Sequence, residues 1–460
     1  MKKTGFHYCW LVLAGIILIR GFAGGGINMT SGLFLAPVAA DIGVGIGSLS
    51  IYLSITSIVM VLWLPTAGKL INKYDIRIMA IAGAVLQALS FAALGLMNNV
   101  YAWYLLAVPN AMGASIVVSL LGPILINRWF TKNAGLMLGI QMAFVGLFGA
   151  VLQPFTSVLI ASEGWRYSYF IIGGMTFVVV IASALLLLRN KPEDKGLLPY
   201  GADAQSADFA GQGPVQGADE NDAQSAAKAE QSPAKGADEN QTQSTVKAGR
   251  ESVQQDGVEI SEKEAVRSAS FFLLLLFMIA ITGVGVFTQH IPTFGGTRGL
   301  TIEETGRALA FASVGNAIGS IAIGVISDRI GSLKTCFGII GLGLITVVGF
   351  MISGHSFFIF GLLTFLHGLT TSGIMVLAPI LTIKFYGKRD YEKIYAKVSM
   401  GAPLASIILI PVYGFIYDLT KNYTLVLAGM IVLLLIAAFS ITVGWKKRCT
   451  AAGCPAFRTK

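Results

Sequence analysis

Read only for apolar and polar positions, the chain is a succession of long apolar runs separated by short polar breaks. The runs fall at about residues 8–36, 47–71, 78–98, 101–127, 134–161 and 165–189, then at 268–291, 303–327, 333–353, 356–383, 393–417 and 421–445. About twenty apolar residues span a hydrocarbon layer of roughly 30 Å at about 1.5 Å per residue. In lipid a backbone must satisfy its own hydrogen bonds, and runs of this length do so as helices rather than barrel strands. The pattern predicts an all-α membrane protein of twelve spans. The first run lacks a small-residue cleavage site and is too long for a signal peptide, so it is expected to stay as a span.

Composition agrees. Of the 460 residues, 12% are charged and 54% hydrophobic, with a mean hydropathy of +0.71. That is too few charges to cover a water-soluble surface. The formal net charge of +9 does not point to nucleic acid, because the basic residues are sorted by side. Lys69, Lys73, Arg77, Arg128, Lys132, Arg329, Lys334, Lys384, Lys388 and the Lys446-Lys447-Arg448 run share one face with Lys2 and Lys3. The other face holds Arg166, Arg298, Arg307 and Lys421. The positive-inside rule then puts both termini in the cytoplasm, as an even number of spans also requires, and the expected location is the cytoplasmic (inner) membrane. Cys9 and Cys336 lie in or beside spans, while Cys449 and Cys454 have no metal-ligand company. No metal site and no cofactor is expected.

Residues 190–266 break the hydropathy pattern. They are rich in Ala, Gly, Gln, Ser, Asp and Glu, and Gly217-Ala-Asp-Glu-Asn-Asp-Ala-Gln-Ser225 recurs as Gly236-Ala-Asp-Glu-Asn-Gln-Thr-Gln-Ser244. Such a stretch buries too little apolar surface to offset chain entropy, so it reads as a disordered cytoplasmic linker. It divides an N-terminal six-helix bundle, 1–189, from a C-terminal one, 267–445, followed by a basic tail, 446–460. The halves repeat. A shift of 256 residues carries Gly68 onto Gly324, Asn72 onto Asp328, Lys73 onto Arg329, Pro123 onto Pro379, Trp129 onto Phe385, Phe130 onto Tyr386 and Gly173 onto Gly429. Duplicated halves are the architecture by which transporters place a site at the repeat interface near mid-membrane.

The loop after span 2 reads Gly68-Lys-Leu-Ile-Asn72-Lys73-Tyr-Asp75-Ile-Arg77, and that after span 8 reads Gly324-Val-Ile-Ser-Asp328-Arg329-Ile-Gly331-Ser-Leu-Lys334. Both resemble the G-x-x-x-D-R/K-x-G-x-x-R/K signature of the major facilitator superfamily, the second more closely. The resemblance implies two pseudo-symmetric six-helix bundles and a cytoplasmic latch made of Gly68, Asn72, Lys73, Arg77, Gly324, Asp328, Arg329 and Lys334. Arg128-Trp129-Phe130, Gln153-Pro154, Gly164-Trp165-Arg166, Gln289-His290-Ile-Pro292 and Gly414-Phe-Ile-Tyr417-Asp418 are similar to phrases of the oxalate/formate antiporter and monocarboxylate transporter branch. Members of that branch carry a lysine in span 1 and an Asp-x-x-x-Arg pair in span 8. Here Asn28 and Asn316-Ala-Ile-Gly-Ser320 stand at those places, so lactate–proton symport does not transfer directly.

Arg20 is the clearest charge inside a span, roughly 18 Å along the first helix. Its cost in the bilayer is about 2.5–3.5 kcal/mol or more without water or a partner. Either it faces the central cavity and pairs with an anionic substrate, or it caps backbone carbonyls near Gly24–Gly26 or snorkels. His367, beside Thr370 and Thr371 in span 10, is either a proton-coupling group or a plain hydrogen-bonded histidine. His290 is either a gate or an interfacial residue. Asn28, Asn110, Gln153, Asn316 and Ser320 are candidate neutral substrate contacts, or polar glue between helices. The expected function is secondary active transport of a small organic anion, a carboxylate, by proton coupling or exchange. The expected state is a monomer in the lipid bilayer, without nucleic acid. No nucleotide-binding motif accompanies the spans, and no enzyme-like cluster of ionisable groups occurs at one depth. The alternatives are a transporter of a neutral or amphipathic solute, drug efflux included, and a transporter-fold sensor signalling through the linker.

Overall fold

The computed structural model describes residues 7–201, 260–387 and 389–451. The expected linker repeats at 217–225 and 236–244, together with Lys2, Lys3, Lys388 and Cys454, lie outside the described residues.

Helices dominate the described residues, and they form twelve segments long and apolar enough to cross a membrane, two of them joined in one continuous run. They are α1 Cys9–Ile42, α2 Ile46–Ile71, α3 Ile76–Leu96, α4 Val100–Trp129, α5 134–163 and α6 165–186, then α7 Ala269–Thr297, α8 Ile302–Ile330, α9 Ser332–Ile352, α10 Phe357–Tyr386, α11 Lys393–Thr420 and α12 Thr424–Lys447. The pair α5 and α6 runs as one continuous helical stretch, Ala134–Leu186, broken only where Gly164 takes φ 85° and ψ 166°. A left-handed φ of this kind suits glycine, and here it reverses the chain without a loop. The protein is thus an all-α membrane protein of two pseudo-symmetric six-helix bundles. With an even number of spans, the described chain ends share one side, the terminal face. The opposite side is the far face.

The apolar pattern located every span, but α1 runs past the expected end at residue 36. Pro37 sits inside the helix Ser31–Ile42, which stops at Gly43 with φ 68°. A proline removes a single backbone donor, and the left-handed glycine ends the helix. The ends of the expected linker also differ from expectation. Tyr200 N–H donates to the Trp129 carbonyl at 2.8 Å, and Ile260 N–H to the Tyr386 carbonyl at 3.2 Å. Ile260 and Ala265 are buried, and the Lys397 ammonium meets the Glu262 carboxylate at 2.7 Å. Residues 190–200 and 260–267 therefore pack on the bundles. The two anchor points, around Phe130 and at Tyr386, are partners in the 256-residue repeat.

Each half is wrapped in apolar side chains. Leu62, Leu105, Ile352, Phe358 and Leu419 are each more than 70% exposed, as a surface facing lipid tails requires. Lipid gives helices no hydrophobic drive to associate, so close backbone approach and shape carry the packing. The crossing of α8 and α10 illustrates this. A Cβ on Gly315 would overlap the Phe365 carbonyl, and one on Gly368 the Ala312 carbonyl. Large rings fill the remaining core: Phe34 stacks on Tyr169 at 4.0 Å in the first half, and Phe287, Phe294, Phe350 and Phe360 interlock in the second.

The two halves touch along an asymmetric seam. From the far face to mid-depth the contacts are intimate: Gly32 of α1 against the Gln289 carbonyl of α7, Gly47 of α2 against Phe415 of α11, and Gly149 of α5 against Ser313 of α8. Toward the terminal face the described glycines of these helices make no such contact. Gly68, Gly135, Gly139 and Gly324 have no atom within 4 Å of where a side chain would begin. The cleft between the halves opens to the terminal face and is shut at the far face.

Gly368→Ala is expected to destabilise the protein by about 1–3 kcal/mol by driving α8 and α10 apart. Gly429→Ala, at a position with nothing within 4 Å, should be neutral or slightly stabilising. Thermal unfolding of the two variants in one detergent checks the contrast.

Candidate functional site

At mid-depth between the halves lies a cavity of about 470 Å³. Its lining comes from α1, α2, α3, α4, α5, α7, α8, α10 and α11, and includes Asn28, Tyr52, Thr56, Ser57, Asn110, Gln153, Thr288, Gln289, Asn316, Thr371 and Ser406. Every lining residue is neutral. The sequence-predicted Asn28, Asn110, Gln153 and Asn316 meet here, drawn from four different helices.

Local backbone geometry explains how the first half presents its amides. Gly21–Asn28 in α1, Val85–Leu89 in α3 and Ser115–Leu120 in α4 are wound as π-helix. The wider turn shifts carbonyls out of the regular ladder and toward neighbouring side chains, which is why such segments gather at functional sites. Gln87 Nε2 donates to the Ala23 carbonyl at 3.3 Å and to Asn28 Oδ1 at 3.1 Å, and Asn110 Nδ2 donates to the Gln87 carbonyl at 3.3 Å. Three amide side chains thereby lock α1, α3 and α4 together, and Gln87 Oε1 stays buried without a partner. Sequence reasoning missed Gln87. A lone glutamine in an apolar run was the signal that could have found it.

Gln153 spans the interface. Its Nε2 donates to the Met29 carbonyl at 3.0 Å, and its Oε1 accepts from Ser313 Oγ of the other half at 2.9 Å. Across the cavity, Asn316 Nδ2 donates to Thr371 Oγ1 at 3.2 Å. Ser320 stands one turn away, outside the lining, with its hydroxyl on the Asn316 carbonyl at 2.8 Å.

The charged and titratable candidates sit elsewhere. Arg20 is buried in the first half, its side chain beside Gly122 and Gln141, with Nη2 3.4 Å from Met142 Sδ. Its Nε and Nη1 find no acceptor, and neither polar atom of the Gln141 side chain is paired. Arg20 thus neither lines the cavity nor caps carbonyls near Gly24–Gly26, because the π-helical turn after it carries Asn28, not Arg20, to the opening. His367 is buried behind the lining, with Nε2 3.1 Å from Thr288 Oγ1 and its ring against Phe287 and Phe350. His290 does not sit at an exposed interface. It is fully buried inside the second half, 3.2 Å from the Tyr423 hydroxyl and 2.9 Å from the Ile410 carbonyl, bracing α7 against α11 and α12.

The signature loops lie on the open side of the cleft. Asp328, Arg329, Lys334 and Lys73 are exposed, and Asp328 makes no ion pair among the described residues. Gly331 takes φ 91°, the conformation for which that signature position needs glycine. In the first copy Asp75 stands there instead and caps α3 by accepting from Arg77 N–H at 2.7 Å. Of Asn72 only the helical backbone is described. Among the described residues no cluster of three or more His, Cys, Asp or Glu side chains could hold a metal ion.

The sequence matches the Major Facilitator Superfamily over residues 16–365 and 308–448. Monocarboxylate transporter 1 of Homo sapiens is 32% identical over 136 residues, covering 29% of this chain and 27% of that protein. The oxalate:formate antiporter of Oxalobacter formigenes is 23% identical over 183 residues, 40% of this chain and 43% of that protein. The matched stretches thus span less than half of these relatives. Among solved structures, a bacterial homolog to the human lysosomal transporter Spinster aligns with a TM-score of 0.68 at 12% identity, covering 98% of this chain and 100% of that one. The nucleoside transporter NupG aligns with a TM-score of 0.65 at 11% identity, covering 99% and 100%. At such identities the structures speak for the fold alone, but family match, twelve-span architecture and interface cavity agree: the chain belongs to the Major Facilitator Superfamily and is a membrane transporter, not an enzyme.

Proposed function

We propose that this transporter moves a small organic anion, a carboxylate, across the cytoplasmic membrane by alternating access, coupled to protons or by exchange. The observation that carries the anion reading is Arg20. It is the one Lys, Arg, Asp or Glu side chain among the described buried residues, and no carboxylate accompanies it. An unopposed guanidinium in low dielectric makes the interior of the first half positive. Asn28 lies eight residues further along α1, about 12 Å. At an effective dielectric of about 20, an anion beside Asn28 gains roughly 1–2 kcal/mol from that charge. The amides and hydroxyls of the lining then supply hydrogen bonds to the carboxylate oxygens. The names of the relatives, monocarboxylate transporters and an oxalate:formate antiporter, favour the same class. The basic loops favour a cytoplasmic terminal face, so the state seen here is open inward. The latch residues, Asp328 and Arg329 with Lys73 and Arg77, would engage in the opposite state.

One observation favours a second reading, transport of a neutral polar solute: no formal charge lines the cavity. Counterflow in proteoliposomes with mono- and dicarboxylates against uncharged polyols and nucleosides separates the two. In the anion reading, Arg20→Gln weakens apparent carboxylate affinity about ten-fold, the equivalent of roughly 1.4 kcal/mol, and Arg20→Lys restores part of it. Unchanged affinity in Arg20→Gln, or uptake confined to uncharged solutes, contradicts it.

The lining makes a separate prediction. Asn28→Leu and Asn316→Leu each remove amide groups from the cavity and are expected to raise KM by about ten-fold, near the 1–2 kcal/mol of a lost polar contact. Ser320→Ala, one turn outside the lining, should stay within about two-fold by the same reasoning. Initial uptake rates over a range of substrate concentrations check the pattern.

A further inference from the structure

The seam between α2 and α11 at the far face holds a contact that the transport cavity does not explain. Asp418, near the end of α11, accepts from Ile46 N–H at 2.9 Å and from Gly47 N–H at 2.7 Å. These are the first amides of the 28-residue helix Ile46–Lys73, whose own N-cap position, Gly45, offers no side-chain bond. The first amides of a helix have no partner within it and carry about half a positive charge. Here a carboxylate from the other half of the protein meets them. The surrounding residues fit this approach: a Cβ on Gly45 would overlap the Asp418 carboxylate, and one on Gly414 would lie 2.6 Å from Gly47 Cα. Deeper in the same seam, Ser54 Oγ donates to the Ile407 carbonyl at 2.8 Å.

We propose that Asp418 is the far-face latch of the transport cycle, an N-cap supplied in trans that holds α2 against α11 while the cleft is open to the terminal face. The inference rests on the alternating-access reading. The Asp418 contact pairs a charged group with a helix terminus, whereas Ser54–Ile407 and Ser313–Gln153 join the halves through neutral groups. Asp418 is only partly buried and lines a vestibule of about 740 Å³ at the far face, outside the closed seam, with residues of α1 and α7, so water can replace both bonds when they break. A contact of this kind is strong enough to bias a two-state seam and weak enough to release.

The test uses the full chain in lipid nanodiscs, with native cysteines replaced and spin labels at Ala40 and Thr297. These exposed residues belong to opposite halves and line the vestibule. Gly47→Trp, a wedge that the closed seam has no room for, marks the distance of an open far face. Asp418→Ala is expected to raise the population at that longer distance about five-fold, the effect of deleting a helix cap. Asp418→Asn, which keeps one acceptor oxygen, should fall between. If Asp418→Ala keeps the parent distribution while the wedge lengthens it, Asp418 is no latch. If the wedge produces no longer distance either, the far face does not open at all, and the latch falls together with alternating access.

Discussion

A backbone amide or carbonyl in hydrocarbon has no water to fall back on, and that constraint governs this protein. It forces twelve spans into helix and makes each departure from regular helix depend on a side chain that takes up the released group. The π-helical turns of α1 and α3 exist beside Gln87 and Asn110, which bond the carbonyls of Ala23 and Gln87. The π-helical turn of α1 in turn brings Asn28 to the cavity, while Arg20, one residue before it, points into the bundle. The cavity's neutral character and the hidden charge beneath it therefore share one backbone origin.

The same constraint shapes the interface. Because lipid offers no hydrophobic drive for helices to associate, the halves hold together by shape and by a few hydrogen bonds. Those bonds are spread along the closed part of the seam: Asp418 on the amides of α2, Ser54 on Ile407, and Gln153 between Met29 and Ser313. The open part has bare glycines and exposed basic loops instead. Few bonds over a smooth contact suit a seam that opens and recloses. The bonds inside each half are more protected, as with His290 braced between Tyr423 and Ile410.

Much of the fold was legible in the sequence because span length and loop charge act one residue at a time. The 256-residue repeat located paired elements, and Phe130 and Tyr386 do occupy matching places beside the two packed ends of the linker. The repeat did not carry over contact by contact. Gly173 presses on Ala88 and Ala92, whereas Gly429 faces nothing. Four of the neutral polar candidates line the cavity, since an amide in lipid must point inward. Arg20, His290 and His367 were harder to place. Depth along a helix follows from counting, but azimuth depends on local winding, and the π-helical turn after Arg20 has no sequence signature beyond a glycine run.

The central claim is that one polar-lined cavity between the halves is reached from one face at a time. Sidedness of chemical access tests it most directly. With native cysteines replaced, Asn316→Cys is placed in the lining and exposed to a membrane-impermeant thiol reagent in vesicles of each orientation. The account predicts rapid modification from the terminal face, little from the far face, and protection by a transported solute. Equal modification from both faces, or none from either, would contradict it.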